Sequence, residues 1–428
     1  MAFLSPDLPR WTPTTEGDIR QAVEDGVLGE SHYWDAKREV SVGSRANKRL
    51  AADLAAFAVD GGSLLIGLDE DKEAGTFALS PGPTAGMPER IGSIASTAVD
   101  PPLFVVVTTI QAEPPTDEDG AARGYLLVEV PPSPRAPHQV DGVYWGRGDK
   151  QNIRLSDAEV HRLHALRQSQ ADRGLALLEA EAARDPMPMA QRSGGHLYLV
   201  AEPLSAAPSA ATAFLRDQDA RDVLWRHGVT EEIPDIKLRD RDVPPSPQQL
   251  TTTETRAGGL ALTTHVLAGS GRQLNEWDRR RSGGPDDDLL DIEFLCNGGI
   301  RALAGRATIR PGHLESSWIV DRLVVAYTRR LTAWALRYGE AYGYRGSWLL
   351  GIRVDGLTGL ASSEFADHLA HGMPPRFSEP TYEAVTTATL QELLSQPWEV
   401  MSRLVGDLVW SLGTAMAFRS VLEAPTGS

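Results

Sequence analysis

The chain has a single cysteine, Cys296, so an internal disulfide and any multi-thiolate metal site are excluded. Long hydrophobic runs are also missing. The longest apolar stretch, near Leu404–Phe418, is interrupted by Asp407 and is too short for the ~30 Å of a bilayer core, so no membrane span is expected. Met1–Arg10 carries neither a basic segment nor an apolar core, and a signal peptide is not expected. Basic side chains are in the minority, 42 against 58 acidic ones, for a net charge of −16. That balance argues against general attraction to nucleic acid, yet it leaves room for a local basic groove. No Gly-x-x-x-x-Gly-Lys-Ser/Thr is found, which leaves a P-loop ATPase unsupported, and neither His-Glu-x-x-His nor Gly-x-Ser-x-Gly occurs. Asp367-His368-x-x-His371 could put two imidazoles near each other on a helix, without the His-Glu-x-x-His pattern. Together these deficits point to a protein of the reducing cytoplasm.

What is present is ordinary for a globular chain: 41% hydrophobic and 23% charged over 428 residues, enough for two domains or three. Glu16 to Leu28 reads as a helix, with Ile19, Val23 and Val27 at i, i+4, i+8 behind a Thr15 cap. Ala46 to Val59 reads as a second, stopped by Asp60-Gly61-Gly62. Strands are expected at Ser63–Leu68, Leu103–Ile110, Gly124–Val130 and Val143–Trp145, with an acidic, Pro-rich loop over Glu113–Ala122. A helix from Ser156 to about Leu166 closes this α+β unit, and an Ala/Glu-rich helical connector follows at 171–184.

Beyond it, His196–Ala201, Gly258–Leu267, Ile292–Cys296, Ile300–Ile309 and Trp348–Ile352 read as strands. Arg239–Pro247 and Arg279–Asp288 read as charged loops. Ser317–Tyr338 is an amphipathic helix with Arg329, Arg330 and Arg337 turned from its apolar stripe. Trp398–Phe418 is a last apolar helix, and Trp318, Trp334, Trp348, Trp398 and Trp410 fall at core-like positions. The expected division is 1–27 (arm and helix), 28–170, 171–195 (connector) and 196–428.

Chemistry concentrates in the first half. Glu30 precedes Asp35 by five residues, Lys37 follows two later, and Asp69 and Asp71 stand just past the Ser63–Leu68 strand. If His32–Glu39 is extended, Tyr33, Asp35 and Lys37 share a face, because strand side chains alternate. Carboxylates and a lysine so placed could hold a divalent cation beside a phosphate. An acidic strand end on a solvated surface has the same spacing. Arg38, Arg45, Lys48 and Arg49 form a basic cluster in a segment, residues 1–170, that otherwise counts 16 basic against 25 acidic side chains. Arg147 and Lys150 lie beside Tyr144 and Trp145, as in a loop that contacts a nucleic-acid backbone.

Taken in order, Glu30-Ser-His-Tyr-Trp-Asp35-Ala-Lys37, Leu54-Ala-Ala-Phe-Ala58 and Gly61-Gly62-Ser-Leu-Leu-Ile-Gly-Leu-Asp69 resemble the Schlafen-type AlbA_2 domain. Asp100-Pro-Pro102, Ala136-Pro137-His138 and Val143-Tyr-Trp-Gly-Arg147-Gly-Asp149 continue the resemblance to about residue 167. Two positions depart from the family pattern: Asp35 stands where Glu is usual, and Val59-Asp60 where Asn-Thr is usual.

The resemblance implies an α+β fold, a mixed sheet with flanking helices, followed here by a second α/β domain. It implies a metal-dependent endoribonuclease that cuts tRNA or other structured RNA, in anti-phage defence or stress response. Glu30, Asp35 and Asp69 would then hold Mg²⁺ or Mn²⁺, with Asp71 the alternative third ligand and Lys37 on the scissile phosphate. Arg38, Arg45, Lys48, Arg49, Arg147 and Lys150 would bind nucleic acid, and a homodimer would supply a second jaw. Two other readings stay open: a nucleic-acid-binding regulator whose carboxylates are bridged to Lys37 and Arg38, and a nucleotide- or ligand-binding sensor.

Overall fold

The computed structural model describes residues 11–71, 73–117, 120–226, 245–265, 267, 272–274, 288–310, 317–366 and 373–424. The chain divides into two compact units, residues 1–168 and 169–428. Residues 1–10, the loops over 239–244 and 279–287, and the His368/His371 pair lie outside the described residues.

In the first unit, α1 (Glu16–Glu24) starts at Thr15, whose hydroxyl accepts from the Asp18 N–H while the Asp18 carboxylate accepts from the Thr15 N–H, a reciprocal cap. Then come β1 (Trp34–Lys37), α2 (Ser44–Phe57), β2 (Gly62–Ile66), β3 (Leu68–Asp71), β4 (Thr76–Leu79), β5 (Gly82–Pro83), α3 (Met87–Thr97), β6 (Val106–Thr116) and β7 (Ala122–Val130). Last are β8 (Gln139–Val140), β9 (Val143–Arg147) and β10 (Asn152–Arg154), and α4 (Asp157–Ala183) begins in this unit and ends in the second.

β1 pairs parallel with β2, and β2 antiparallel with β7, which also pairs with β6 and β5. β3 and β4 form a hairpin, and β8–β9–β10 a small antiparallel sheet. Alternation along β2 divides the core. Leu64 and Ile66 join Leu50, Leu54 and Phe57 of α2 and Ile91 and Ile94 of α3. Leu65 joins Ile19 of α1, Trp34 and Tyr125 on the other face. β1 alternates likewise: Trp34 and Ala36 pack on the α1 side, which leaves Asp35 and Lys37 on the α2 side.

In the second unit, β11 (Leu197–Pro203) precedes the short helices α5 (Thr212–Arg216) and α6 (Ala220–Trp225). β12 (Thr252–Arg256), β13 (Gly259–Thr263), β14 (Leu290–Leu295), β15 (Ile300–Ala304), β16 (Thr308–Ile309) and β17 (Trp318–Ile319) follow. The remainder is α7 (Asp321–Ala341), β18 (Trp348–Asp355), β19 (Ala361–Ser362), β20 (Thr381–Ala388), α8 (Leu390–Ser395), α9 (Pro397–Ser411) and α10 (Arg419–Leu422).

Seven strands form one antiparallel sheet in the order β12-β13-β14-β15-β11-β18-β20. One face packs on α7 and α9 through Leu199, Ile292, Phe294, Ile352, Trp334 and Leu404. The other face carries charge. Asp291 receives both Nη groups of Arg256 and the Nε of Arg272, Glu293 pairs with Arg184, and Glu202 with Arg301 and Arg173. The C-terminal half of α4 adds Arg173, paired with Glu202, and Glu181, paired with Arg272, and Arg184 follows just past its end. Burial alone would raise the Asp291 pKa, but Arg272 and Arg256 hold it below the ordinary carboxylate range.

The structure corrects several expectations. β6 runs on through Glu113 to Thr116, because Ile110 and Ala112 continue its buried alternation and its end pairs with Ala122. The helix begun after Ser156 and the connector at 171–184 are one helix of 27 residues, since no proline or cap separates them. Arg330 is buried. Trp410 is 79% exposed, because the buried stripe of α9 runs Val400, Met401, Leu404, Val405, Leu408 and Val409 and leaves position 410 to solvent. β12 and β20 were not anticipated.

Candidate functional site

A cavity of about 390 Å³ opens in the first unit where β1, α2, the start of β3 and the β9–β10 turn meet. Its acidic lining is Glu30, Asp35, Asp53, Asp69 and Glu70, and its cationic lining Lys37, Arg38, Arg147 and Lys150. Gln151, Asn152, Ala36 and Leu68 complete it. Two glycines make the arrangement possible. A Cβ on Gly62 would stand 2.2 Å from the Phe57 ring and 2.9 Å from the Tyr33 carbonyl, so only glycine lets β2 lie this close to α2 and to the end of β1. Gly67, at φ +113°, turns the chain from β2 into β3 and delivers Asp69 and Glu70 to the rim.

Asp35 sits on the floor, 7% exposed. One oxygen accepts from the Ala36 N–H, and the other faces Arg147 Nη1 at 3.3 Å and Lys37 Nζ at 4.0 Å. Arg147 is buried and spends its donors inside the protein. They go to Asp35, to the Ser31 and Trp34 carbonyls and to the Asn152 side-chain oxygen, while its guanidinium stacks 4.6 Å from the centre of the Phe57 ring. Expected as a backbone-binding side chain, it is the floor of the pocket instead.

Lys37 lies between two carboxylates, 3.0 Å from Asp53 and 4.0 Å from Asp35. Asp53 is itself almost fully buried on α2, with its pKa raised by burial and drawn partly back by Lys37. Asn152 Nδ2 donates to its other oxygen at 2.6 Å.

Glu30 is half-buried at the mouth. Burial, a hydrogen bond shared with Asp35, and the charges of Asp35 and Glu70 push its pKa up to about 7, against the pull of Arg147. Asp69 stands at the rim, half-exposed, with Arg38 Nη1 at 3.4 Å. Asp71, the alternative to it, is absent from the lining; its carboxylate accepts from the Glu73 and Ala74 N–H groups and holds the β3–β4 turn. Lys150 is exposed on the lining. Arg45, Lys48 and Arg49 are exposed on α2 outside it, and Lys48 pairs with Asp141 at 2.7 Å.

Of the acidic lining, Glu30 and Asp35 are the carboxylates that could offer oxygens to a hard divalent cation. Glu30 and Asp35 lie close enough for Asp35 to help push the Glu30 pKa up, whereas Asp69 is paired with Arg38. Among the described residues, no three His, Cys, Asp or Glu side chains are grouped closely enough to ligate one ion. A two-carboxylate site suits Mg²⁺ or Mn²⁺, ions commonly completed by water and phosphate oxygens.

Sequence reasoning missed Asp53, Asn152 and Glu70. For Asp53 a signal existed: it is the one acid in the run Leu50-Ala-Ala-Asp53-Leu-Ala-Ala-Phe57, at a position whose neighbours are all buried. Asn152 and Glu70 carried no such mark. His32 was also passed over. Its ring nitrogens lie 3.0 Å from the Gly148 carbonyl and 3.0 Å from the Asp60 carboxylate, joining the β9–β10 turn to the residue that replaces the family's Asn-Thr.

Among the described residues no helix is long and apolar enough to cross a membrane. No curated protein matches the chain. Among solved structures, it is similar to the N-terminal domain of a protein from Nitrosomonas europaea described as related to the ATP-dependent DNA helicase RecG. That likeness has 22% identity over 32% of this chain and 89% of the other, with a TM-score of 0.23. It is also similar to the DIP2311 protein from Corynebacterium diphtheriae, at 12% identity over 96% of this chain and 90% of the other, with a TM-score of 0.24. The family model described as Schlafen, AlbA_2 matches residues 30–156, which span every residue of the pocket. Residues 30–156 thus match the Schlafen AlbA_2 family, and a further α/β region follows them.

Proposed function

We propose that the pocket binds and cleaves the phosphodiester backbone of structured RNA, tRNA included, with Mg²⁺ or Mn²⁺ held by Glu30 and Asp35. The observation that carries this reading is the gathering of Glu30, Asp35 and Lys37 in one cavity with Arg38 and Lys150 on its lining. The ion would supply Lewis-acid polarisation of a phosphate oxygen and a more acidic bound water. Lys37 offers its ammonium to the phosphate seated at Asp35. Arg38 and Lys150 take the flanking phosphates, and Arg45 and Arg49 extend that path along α2. Asp69 joins the pair only by leaving Arg38, a step with little cost because both groups are half-exposed. A second copy of the chain provides the opposite jaw, and defence against phage or a stress response is the setting such an activity suits.

A second reading, a nucleic-acid-binding regulator, is favoured by a specific observation: Asp35 is bridged to Lys37 and Arg147, and Asp69 to Arg38. One assay separates the two. Full-length protein is incubated with total bacterial tRNA in Mn²⁺, Mg²⁺ or EDTA, beside Glu30→Gln, Asp35→Asn, Asp69→Asn and Asp71→Asn. Expected are discrete fragments that need metal, vanish in the first two variants, weaken in the third and persist in the fourth. Intact RNA in every lane, with a gel shift that weakens in Arg38→Ala/Lys150→Ala, establishes the regulator instead.

A further inference from the structure

The side chains of the pocket close into a ring. Starting from Asp35, it passes to Arg147 Nη1 at 3.3 Å, from Arg147 to the Asn152 oxygen at 3.1 Å, and from Asn152 Nδ2 to Asp53 at 2.6 Å. Asp53 then meets Lys37 Nζ at 3.0 Å, which faces Asp35 again at 4.0 Å. Four elements contribute: β1 gives Asp35 and Lys37, α2 gives Asp53, β9 gives Arg147 and β10 gives Asn152. Charge alternates around it, so each anion has a cation beside it and each cation an anion.

We propose that Asp53 is a positioning residue, which acts through Lys37 and is itself held by Asn152. A lysine side chain has four rotatable bonds and a strongly hydrated head, so on an open strand its ammonium samples a wide volume. Here the carboxylate of Asp53, buried and held by the Asn152 amide on its other oxygen, stands 3.0 Å from Lys37 Nζ and keeps the ammonium beside Asp35 and on the cavity lining. The ammonium is thereby placed before a phosphate arrives, and the loss of freedom is met in folding rather than in binding. Asp53 borders the same cavity, but its two oxygens are turned to Lys37 and Asn152, so its part is to place the lysine. This inference rests on the proposed phosphodiester reading for its catalytic consequence, though not for the geometry of the ring.

The test separates the two. The chain has only five lysines, Lys37, Lys48, Lys72, Lys150 and Lys237, so side-chain ammonium signals of ¹⁵N-lysine-labelled full-length protein can be assigned, Lys37 by its loss in Lys37→Arg. Expected is a Lys37 ammonium signal protected from solvent exchange in the wild type, lost in Asp53→Asn and recovered in Asp53→Glu. A Lys37 signal that is unprotected in the wild type, or that stays protected in Asp53→Asn, overturns the proposal. Should Asp53→Asn not fold, Asn152→Ala serves, with Lys37 exchange expected to quicken severalfold; unchanged exchange again overturns it. In the tRNA assay, Asp53→Asn is expected to lower kcat roughly tenfold to a hundredfold with KM nearly unchanged, as for a misplaced group. Equal kcat in the folded variant overturns the positioning role. Absence of wild-type cleavage overturns the phosphodiester reading alone, because the exchange measurement reads the ring without it.

Discussion

Arg147 and Asp35 meet across 3.3 Å on the floor of the pocket, and both are 7% exposed. The pair joins the end of β9 to the first strand of the unit, and the same guanidinium holds the Ser31 and Trp34 carbonyls. A buried guanidinium with this many partners is costly to remove, because each acceptor is then left desolvated without a donor.

Arg147→Met is therefore expected to destabilise the first unit by about 3 kcal/mol or more. The measurement is urea unfolding followed by fluorescence. A midpoint equal to that of the wild type would show that Arg147 is not the tie described. Arg147→Lys is expected to rescue little of the loss, since a single ammonium cannot reach Asp35, Asn152 and two carbonyls at once.

His138 sets a pH dependence away from the pocket. Its Nδ1 lies 2.7 Å from the Pro101 carbonyl and its Nε2 2.7 Å from the Ser133 hydroxyl, so the neutral ring donates to the first and accepts from the second. Burial pushes its pKa down from 6.5 to about 4, against the pull of that carbonyl. Between those values the unfolded chain binds a proton that the folded chain refuses. Stability is then complete above pH 6.5 and falls as pH drops towards 4, by at most ~3 kcal/mol from this group. Unfolding midpoints from pH 7 to 4.5 check it: His138→Asn is expected to lose less stability over that interval than the wild type. Parallel curves would refute the assignment.

In the second unit, Asp291 carries two buried arginines. Asp291→Asn leaves Arg256 and Arg272 facing an uncharged amide in a dry interior, with an expected loss of about 3–5 kcal/mol. Calorimetry of the full chain checks it. A melting transition displaced by under ~2 °C, which for a unit of this size corresponds to about 1 kcal/mol or less, would show that the network contributes little.

The legible parts of this protein were those in which local chemistry and tertiary role agree. The Thr15 cap, the α2 stripe and the apolar β2 run are each decided by neighbours in sequence, and each appears nearly where the pattern places it. The gathering of Glu30, Asp35 and Lys37 was legible because strand alternation and the order of motifs both pointed there. Other features depend on what lies far along the chain. In Leu290-Asp-Ile-Glu-Phe-Leu295, alternating apolar and charged residues read as a strand with one solvated face, yet Asp291 and Glu293 are buried there and pair with Arg256, Arg272 and Arg184. Asp53 is hidden in the same way: its meaning comes from Lys37 and Asn152, one 16 residues before it and the other 99 residues after it. Trp410 fails in the opposite sense, since an aromatic side chain on an apolar helix is core only if its angle around the axis agrees.

The pocket lining includes no aromatic ring among the described residues. A nucleobase seated there would find no aromatic face to stack upon, and apart from Ala36 and Leu68 its edges would meet charged groups and the Gln151 and Asn152 amides. On the proposed phosphodiester reading, the cavity would therefore address ribose and phosphate, the parts every nucleotide shares. On that reading, discrimination between one RNA and another would come from the path its backbone follows across the surface, so the contour of a fold, rather than the spelling of a sequence, would decide what is admitted.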